Sequence, residues 1–380
     1  MTTIDVVRPP SERAAHGSPD KLRTAIGSAV GTTIENYDFL AYGTAAALYF
    51  NKAFFHSDDP TVGILLGFAT FGVGFAMRPL GGIIGGYLGD RIGRKPVLIG
   101  ALLVMGIATV LIGVLPTYAQ VGIWAPIMLT AIRIGQGLAF GAEWGGAILM
   151  TFEHAPWKQR GRYTAIPQAG VPLGVLLANV VFLFSSRLDS DLAWRLPFLL
   201  SSVLIVAGMI IRLKVSESPE FLETKAAGEV VRNPLKEVFK NDWRNILRVI
   251  ALRLAESGGF YVIVTYMLSY LTKGHEPITT KAVALTGLVT AAALGTMTTI
   301  LFGALSDKVG RRPVYFGGTI LLMLFAFPMF WMVNTAVPML IVFVYVVGLS
   351  IIHDSLAGTQ GPWFSELFNT NTRSSGASVG

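Results

Sequence analysis

Eight ionisable side chains sit inside stretches that are otherwise apolar: Glu35, Asp38, Arg78, Arg133, Glu143, Arg253, Glu256 and Asp354, with His353 beside the last. A charge held at the centre of a bilayer costs about 2.5–3.5 kcal/mol. Eight left alone would cost on the order of 20 kcal/mol, so they must pair or face a wet cavity. Three are arginines, which stay protonated; five are carboxylates, which take up a proton when the surroundings are poorly polarisable. An excess of buried acid over buried base suits a reversible proton site. Asp38 is the first candidate, Glu35 the second and Asp354 the third. His353 titrates near neutrality and serves either as a relay or as a packed hydrogen-bond partner.

Spacing sorts these residues. Glu35 and Asp38 lie three apart and share a helix face, as do Arg253 and Glu256. At about 1.5 Å per residue, Glu35, Asp38, Arg133 and Glu256 fall near mid-membrane. Arg253 lies slightly to the cytoplasmic side, and Arg78, Glu143, His353 and Asp354 lie deeper toward it. A guanidinium at that depth is a clamp for a carboxylate, so Arg133 reads either as a substrate or proton-coupling residue or as a structural partner of Glu35. Gly137, Gly141 and Gly145 follow it at intervals of four and permit close helix approach. Arg133 and Gln136 in the first half and Arg253, Glu256 and Tyr261 in the second are candidate substrate contacts, while Tyr266 and Tyr270 suit the membrane interface.

The elements that position these groups are long apolar segments. Hydrophobic residues make up 52% of the 380 positions and charged residues only 14%, too little charge to cover a soluble protein of this length. Ten segments are long enough to span a bilayer, at about 24–50, 61–86, 97–115, 122–150, 163–184, 194–213, 245–272, 282–303, 314–333 and 338–360. Of the 30 Lys and Arg, 22 lie in the amino-terminal tail and alternate loops, and Lys52, Arg187, Arg195, Lys273 and Lys281 lie on the other side. That asymmetry puts the amino terminus in the cytoplasm. It also makes the net charge of +7 a topology signal, so nucleic acid is not an expected partner. Cysteine is absent, which removes disulfides and thiolate metal sites. No HExxH, GxSxG or grouped metal ligands occur, so neither an enzyme nor a metal site is expected. Gln168, Gly170, Pro172 and Gly174 predict a bend in the fifth span.

The chain repeats itself. Gly86-Tyr-Leu-Gly-Asp90-Arg91-Ile-Gly93-Arg94-Lys95-Pro96 returns as Gly303-Ala-Leu-Ser-Asp307-Lys308-Val-Gly310-Arg311-Arg312-Pro313. Both copies follow the second span of their half, which indicates parallel duplication. Residues 1–23 read as a disordered cytoplasmic tail, 24–213 as a six-helix bundle, 214–244 as a cytoplasmic linker with one surface helix near 234–239, and 245–380 as a second bundle. Six spans against four, with Ser374–Gly380 opening an eleventh, predict a chain that stops short of a twelve-helix protein.

The Gly86–Lys95 stretch resembles the signature loop of the major facilitator superfamily, and its second copy strengthens the likeness. Glu35-Asn36-Tyr37-Asp38-Phe39, Arg78-Pro79-Leu80-Gly81-Gly82, Gly141-Ala142-Glu143-Trp144-Gly145-Gly146 and Glu366-Leu367-Phe368 resemble the metabolite–proton symporters within it. Ala251-Leu-Arg253-Leu-Ala-Glu256 and Ile352-His353-Asp354 look most like its shikimate-type members. Asn36 departs from the usual Trp, Asn369 from Pro, and Asn371 from a basic residue.

The resemblance implies an all-α membrane protein of two six-helix bundles, the second truncated. It implies a cytoplasmic gate of Gly86, Asp90, Arg91, Arg94 and Lys95 with Asp307, Arg311 and Arg312. It also assigns Arg133 and Gln136 to a motif tied to proton coupling. The expected function is proton-coupled uptake of a small organic anion by a monomer in a bacterial inner membrane, with no cofactor beyond the proton gradient. An exporter on the same fold and a transporter-derived sensor are the alternatives.

Overall fold

The computed structural model describes residues 20–55, 60–92, 94–188, 191–214, 242–273 and 277–368. The side chains of Gly86, Asp90, Arg91, Arg94, Lys95 and Glu143, and the segments expected as tail and linker apart from 20–23, 214 and 242–244, lie outside the described residues.

Every predicted span is helical. In chain order the helices are α1 (Asp20–Ala45), α2 (Pro60–Ala76), α3 (Arg78–Ile92), α4 (Arg94–Val114), α5 (Trp124–His154), α6 (Arg160–Gln168), α7 (Gly170–Ser185), α8 (Leu192–Lys214), α9 (Trp243–Tyr261), α10 (Lys281–Val309), α11 (Arg311–Val333), α12 (Pro338–Tyr345) and α13 (Asp354–Glu366). Helix α1 begins inside the expected tail, and α8 and α9 each reach into the expected linker.

Single predicted spans resolve into pieces for identifiable reasons. The second breaks at Met77, next to Pro79, which has no N–H to continue a helical ladder. The fifth is interrupted at Ala169, because Pro172 offers no donor to the Gln168 carbonyl, at the place where a bend is expected. Three segments wind as π-helix: Ala46–Phe50 after α1, Val262–Tyr266 after α9, and Val346–His353 between α12 and α13. Such widened turns displace side chains from the normal stripe and gather at functional positions. Pro338 starts α12, where its missing N–H costs nothing.

Among the described residues, seven helices are long and apolar enough by themselves to cross a bilayer. The predicted spans outside that set are α1, α5 and α9, which carry Glu35 and Asp38, Arg133, and Arg253 and Glu256. Polarity is turned inward throughout. Asp38, Arg133, Gln136 and Thr299 are fully buried, while Leu65, Ile107, Val203, Leu301 and Phe327 face outward, as expected where hydrocarbon is the solvent.

Helix α1 packs on α7 and α8, α4 on α5 and α8, and α3 on α5. The glycine stripe of α5 lets it approach both α2 and α3: a Cβ on Gly137 would strike the Gly74 carbonyl of α2 and one on Gly141 the Arg78 carbonyl of α3. Helix α10 packs on α6 and α7 of the first half as well as on α13. Its length of about 43 Å at 1.5 Å per residue separates a Lys281 end from an Asp307 end.

Candidate functional site

Two polar clusters are buried in the core. The first gathers Asp38 from α1, Thr109 from α4, and Arg133 and Gln136 from α5. Arg133 donates from Nη1 to Gln136 Oε1 at 2.8 Å and from Nη2 to the Phe71 carbonyl at 3.5 Å. Gln136 Nε2 donates onward to Thr109 Oγ1 at 2.8 Å, and Thr109 donates to the Met105 carbonyl at 2.9 Å. Thr109 lies beside the Asp38 carboxylate, yet its hydroxyl proton is committed to Met105. Both Asp38 oxygens are therefore buried without a hydrogen-bond partner.

Aromatic rings surround the guanidinium groups. Arg133 sits 4.0 Å from the Tyr42 ring centroid and 4.5 Å from that of Phe39. Arg78, the first residue of α3, lies 3.8 Å from Phe140, 4.1 Å from Phe39 and 4.2 Å from Phe75. Ring faces carry negative electrostatic potential and partly replace the water these cations lost. Neither guanidinium has a carboxylate within ion-pair distance among the described residues. Arg78 Nε and Nη2 and Arg133 Nε also lack hydrogen-bond acceptors. Glu35 is buried as well, but it is not an ion-pair partner of Arg133; Gln136 holds that place.

The second cluster is a chain of charges in the other half. Arg253 Nη1 lies 3.6 Å from Glu256 Oε2, and Ser257 donates to that same oxygen at 2.9 Å. Glu256 Oε1 meets His353 Nε2 at 2.9 Å, and His353 Nδ1 meets Asp354 Oδ1 at 3.2 Å. Thr298 of α10 donates to Asp354 Oδ2 at 2.6 Å. The π-helical turn ending at His353 sets the ring between the two acids. His353 and Asp354 also line a small cavity with Pro172 and Val175 of α7, Phe260 of α9, and Ala291, Ala292 and Gly295 of α10. That cavity lies where the two halves meet.

An aromatic layer joins the clusters. Phe260 stacks within 4.6 Å of His353 and 5.0 Å of Tyr261. Tyr261 in turn meets Phe75 at 4.8 Å and Phe71 at 5.6 Å across the interface between halves. Its phenol lies beside Arg78.

The structure thus brings Asp38, Arg133 and Gln136 together, and separately Arg253, Glu256, His353 and Asp354, with Tyr261 between. Arg78, Thr109 and Thr298 complete these clusters and were not selected from sequence. Arg78 stands among the buried charges counted from the sequence, but without a role of its own. Tyr266 is exposed, and Tyr270 donates to Asn334 at 2.9 Å, away from both clusters.

At the Asp307 end, the Asp307 carboxylate accepts from the backbone N–H of Gly161 at 2.8 Å and of Arg162 at 2.9 Å, capping α6 of the first half. Arg311 clamps the same carboxylate at 2.7 Å and reaches Glu366 at 3.4 Å. Arg312 is exposed and stands apart.

Comparison with known proteins agrees with this architecture. The Major Facilitator Superfamily profile matches residues 28–379. The chain is 40% identical over 365 residues to the shikimate transporter of Escherichia coli (strain K12), covering 94% of this chain and 83% of that protein. It is 37% identical to the inner membrane metabolite transport protein YhjE of the same organism, covering 94% and 82%. The partially occluded, inward-open structure of the xylose transporter XylE from E. coli superposes with a TM-score of 0.74 at 19% identity, covering 95% and 88%. With buried charge inside, an apolar exterior, and two halves in contact around polar clusters, the chain is a multi-pass membrane transporter that belongs to the Major Facilitator Superfamily.

Proposed function

We propose that this transporter imports a small carboxylate metabolite together with a proton. The observation that carries the reading is the pair of buried guanidiniums, Arg133 and Arg78, without a carboxylate partner among the described residues and fringed by aromatic rings. Two desolvated cations are costly unless a counter-charge arrives, and a planar carboxylate matches the guanidinium fork. Shikimate, the cargo named for the 40%-identical relative, carries such a group on a ring that suits an aromatic layer.

The proton has its own sites. Both His353 nitrogens face carboxylate oxygens, whereas a neutral imidazole has one donor and one acceptor. The cluster is satisfied only with one further proton, on the ring or on a carboxyl. Asp38, buried with neither carboxylate oxygen in a hydrogen bond, is a second place for a proton to reside. Coupling then follows from mutual neutralisation. The loaded carrier, with carboxylate and proton aboard, buries less net charge than a half-loaded one and crosses between states more readily.

In this reading residues 24–213 and 245–380 rock about the central site, joined by 214–244, in a monomer of the bacterial inner membrane with a cytoplasmic amino terminus. Asp307 and Arg311, and their counterparts Asp90 and Arg94, latch the cytoplasmic end and release it as the halves move.

Uptake of labelled shikimate into proteoliposomes tests the proposal. An inward proton gradient should drive accumulation that an uncoupler abolishes. Accumulation driven by the opposite gradient would identify an exporter, and binding without accumulation a sensor.

A further inference from the structure

At the Lys281 end, three lysines converge from both halves. Lys52 follows the π-helical turn of α1, Lys273 closes the helix that continues α9, and Lys281 opens α10. Lys273 Nζ donates to Asn51 Oδ1 at 3.1 Å, a bond between residues 222 apart in sequence. Lys281 Nζ lies 4.4 Å from the Tyr49 ring centroid. The three ammonium groups are near enough to repel one another, and none has a carboxylate within ion-pair distance among the described residues. Asp58, Asp59, His275 and Glu276 lie outside the described residues.

Beneath them the Tyr49 hydroxyl is buried and has no hydrogen-bond partner. Among the described residues the patch is therefore almost all donor: three ammonium groups and one orphaned phenol, against the Asn51 acceptor. A solvated surface face would hold its like charges apart and its hydroxyl in water. Here they are drawn together at the seam where the halves meet.

We propose that Tyr49, Lys52, Lys273 and Lys281 form an outer capture site for a small carboxylate, distinct from the central guanidinium site. The anion takes the Tyr49 proton as a hydrogen bond and bridges ammonium groups of both halves. It thereby replaces their repulsion with attraction and draws the outer mouth closed. A cationic funnel also raises the local concentration of an anionic solute before it descends. The assignment rests on the carboxylate reading above for its ligand class, and on the orientation given there for the word outer.

Burial, and then the neighbouring Lys281 and Lys52, bring the Lys273 amine down to about 8. Capture accordingly weakens as pH rises through about 8, well below the ordinary lysine range near 10.4. Among the described residues, the other charged groups facing Lys273 are Lys52 and Lys281.

Acylation of the full-length protein in nanodiscs by a membrane-impermeant sulfosuccinimidyl ester, read by peptide mass spectrometry, tests the site without requiring transport. With shikimate at ten times its Kd, Lys273 should acylate about tenfold more slowly, because that fraction of sites is occupied. Xylose, which is neutral, should leave the rate unchanged. Lys52→Gln with Lys281→Gln should abolish the protection, and Lys52→Arg with Lys281→Arg should retain it. Equal rates with and without shikimate, or equal protection by xylose, overturns the site. Protection without uptake supports the site and sinks the import reading; uptake without protection sinks the site alone.

Discussion

Glu256 and His353, 97 residues apart in sequence, meet at 2.9 Å inside the second half. On its other side the same ring faces Asp354 at 3.2 Å. The two acids are themselves engaged, Asp354 by Thr298 and Glu256 by Arg253 and Ser257.

Glu256→Gln preserves the shape of the cluster and removes one charge. Proton-driven accumulation of shikimate should fall at least about tenfold, equivalent to about 1.4 kcal/mol. Counterflow exchange, which needs no net proton movement, should persist. Undiminished concentrative uptake by this variant would remove the second-half cluster from the coupling mechanism.

Thr109 accepts the hydrogen bond that orients Gln136, and Gln136 orients Arg133. Thr109→Val should destabilise the protein by about 1 kcal/mol, the usual value of a hydrogen bond, and raise the KM for shikimate. Thr109→Ser keeps the oxygen and should recover both. The check is thermal unfolding in detergent alongside uptake kinetics. If valine and serine behave alike, the relay through Thr109 does not matter.

Gly74 abuts the guanidinium: a Cβ there would lie 2.7 Å from Arg133 Nη2. Gly74→Ala must displace that group and should weaken substrate binding about tenfold or more, since small misplacements at a site are costly. Two residues earlier, Gly72 has open space around it, and Gly72→Ala should bind normally. Matching affinities in the two variants would show that the position of Arg133 is not critical.

Asp307 ties the halves together by capping α6 with a charged group. Asp307→Asn forfeits charge-assisted bonds worth about 1.5–3 kcal/mol each, so it should lower the melting temperature and slow uptake. Lys308→Gln, one residue on and exposed, should change stability by no more than about 0.5 kcal/mol. Melting curves of the two variants decide whether the contact is structural in this sense.

The Lys273 amine, brought down to about 8 by burial and by Lys281 and Lys52, makes a prediction about stability. Between about 8 and the unfolded value near 10.4, the unfolded chain binds the proton that the folded one has released. Stability from this group therefore rises with pH across that window and is least below about 8. The melting temperature of Lys273→Gln relative to the parent protein should fall as pH climbs through the window. A pH-independent difference would mean that the amine keeps an ordinary affinity for its proton.

Much of this was legible in the residues themselves. Apolar runs of about 20 residues mark candidate membrane helices, and the runs around Glu35, Asp38, Arg133 and Glu256 were legible in that way, although the helices that carry them fall outside the seven apolar enough by themselves to cross a bilayer. Pro172 announced the break at Ala169 because a missing donor acts locally. The repeat around Asp90 and Asp307 exposed the duplication, and the glycines of α5 marked the face that approaches α2 and α3. These signals are covalent or confined to one helix, where spacing maps directly onto geometry.

What packs against what was decided only by the tertiary fold. Arg133 turned to Gln136 and three rings, not to Glu35, because helix rotation and the widened π turns choose among neighbours that sequence spacing leaves equivalent. Arg78, a buried charge that the sequence left without a role, came to lie among Phe39, Phe75 and Phe140. Tyr49, Lys52, Lys273 and Lys281, scattered across loops and helix ends in the sequence, became one patch only when the halves closed upon each other. A buried charge demands a partner wherever it stands, so composition could declare that demand. Meeting it depends on distances between helices, and those exist only once the helices have packed.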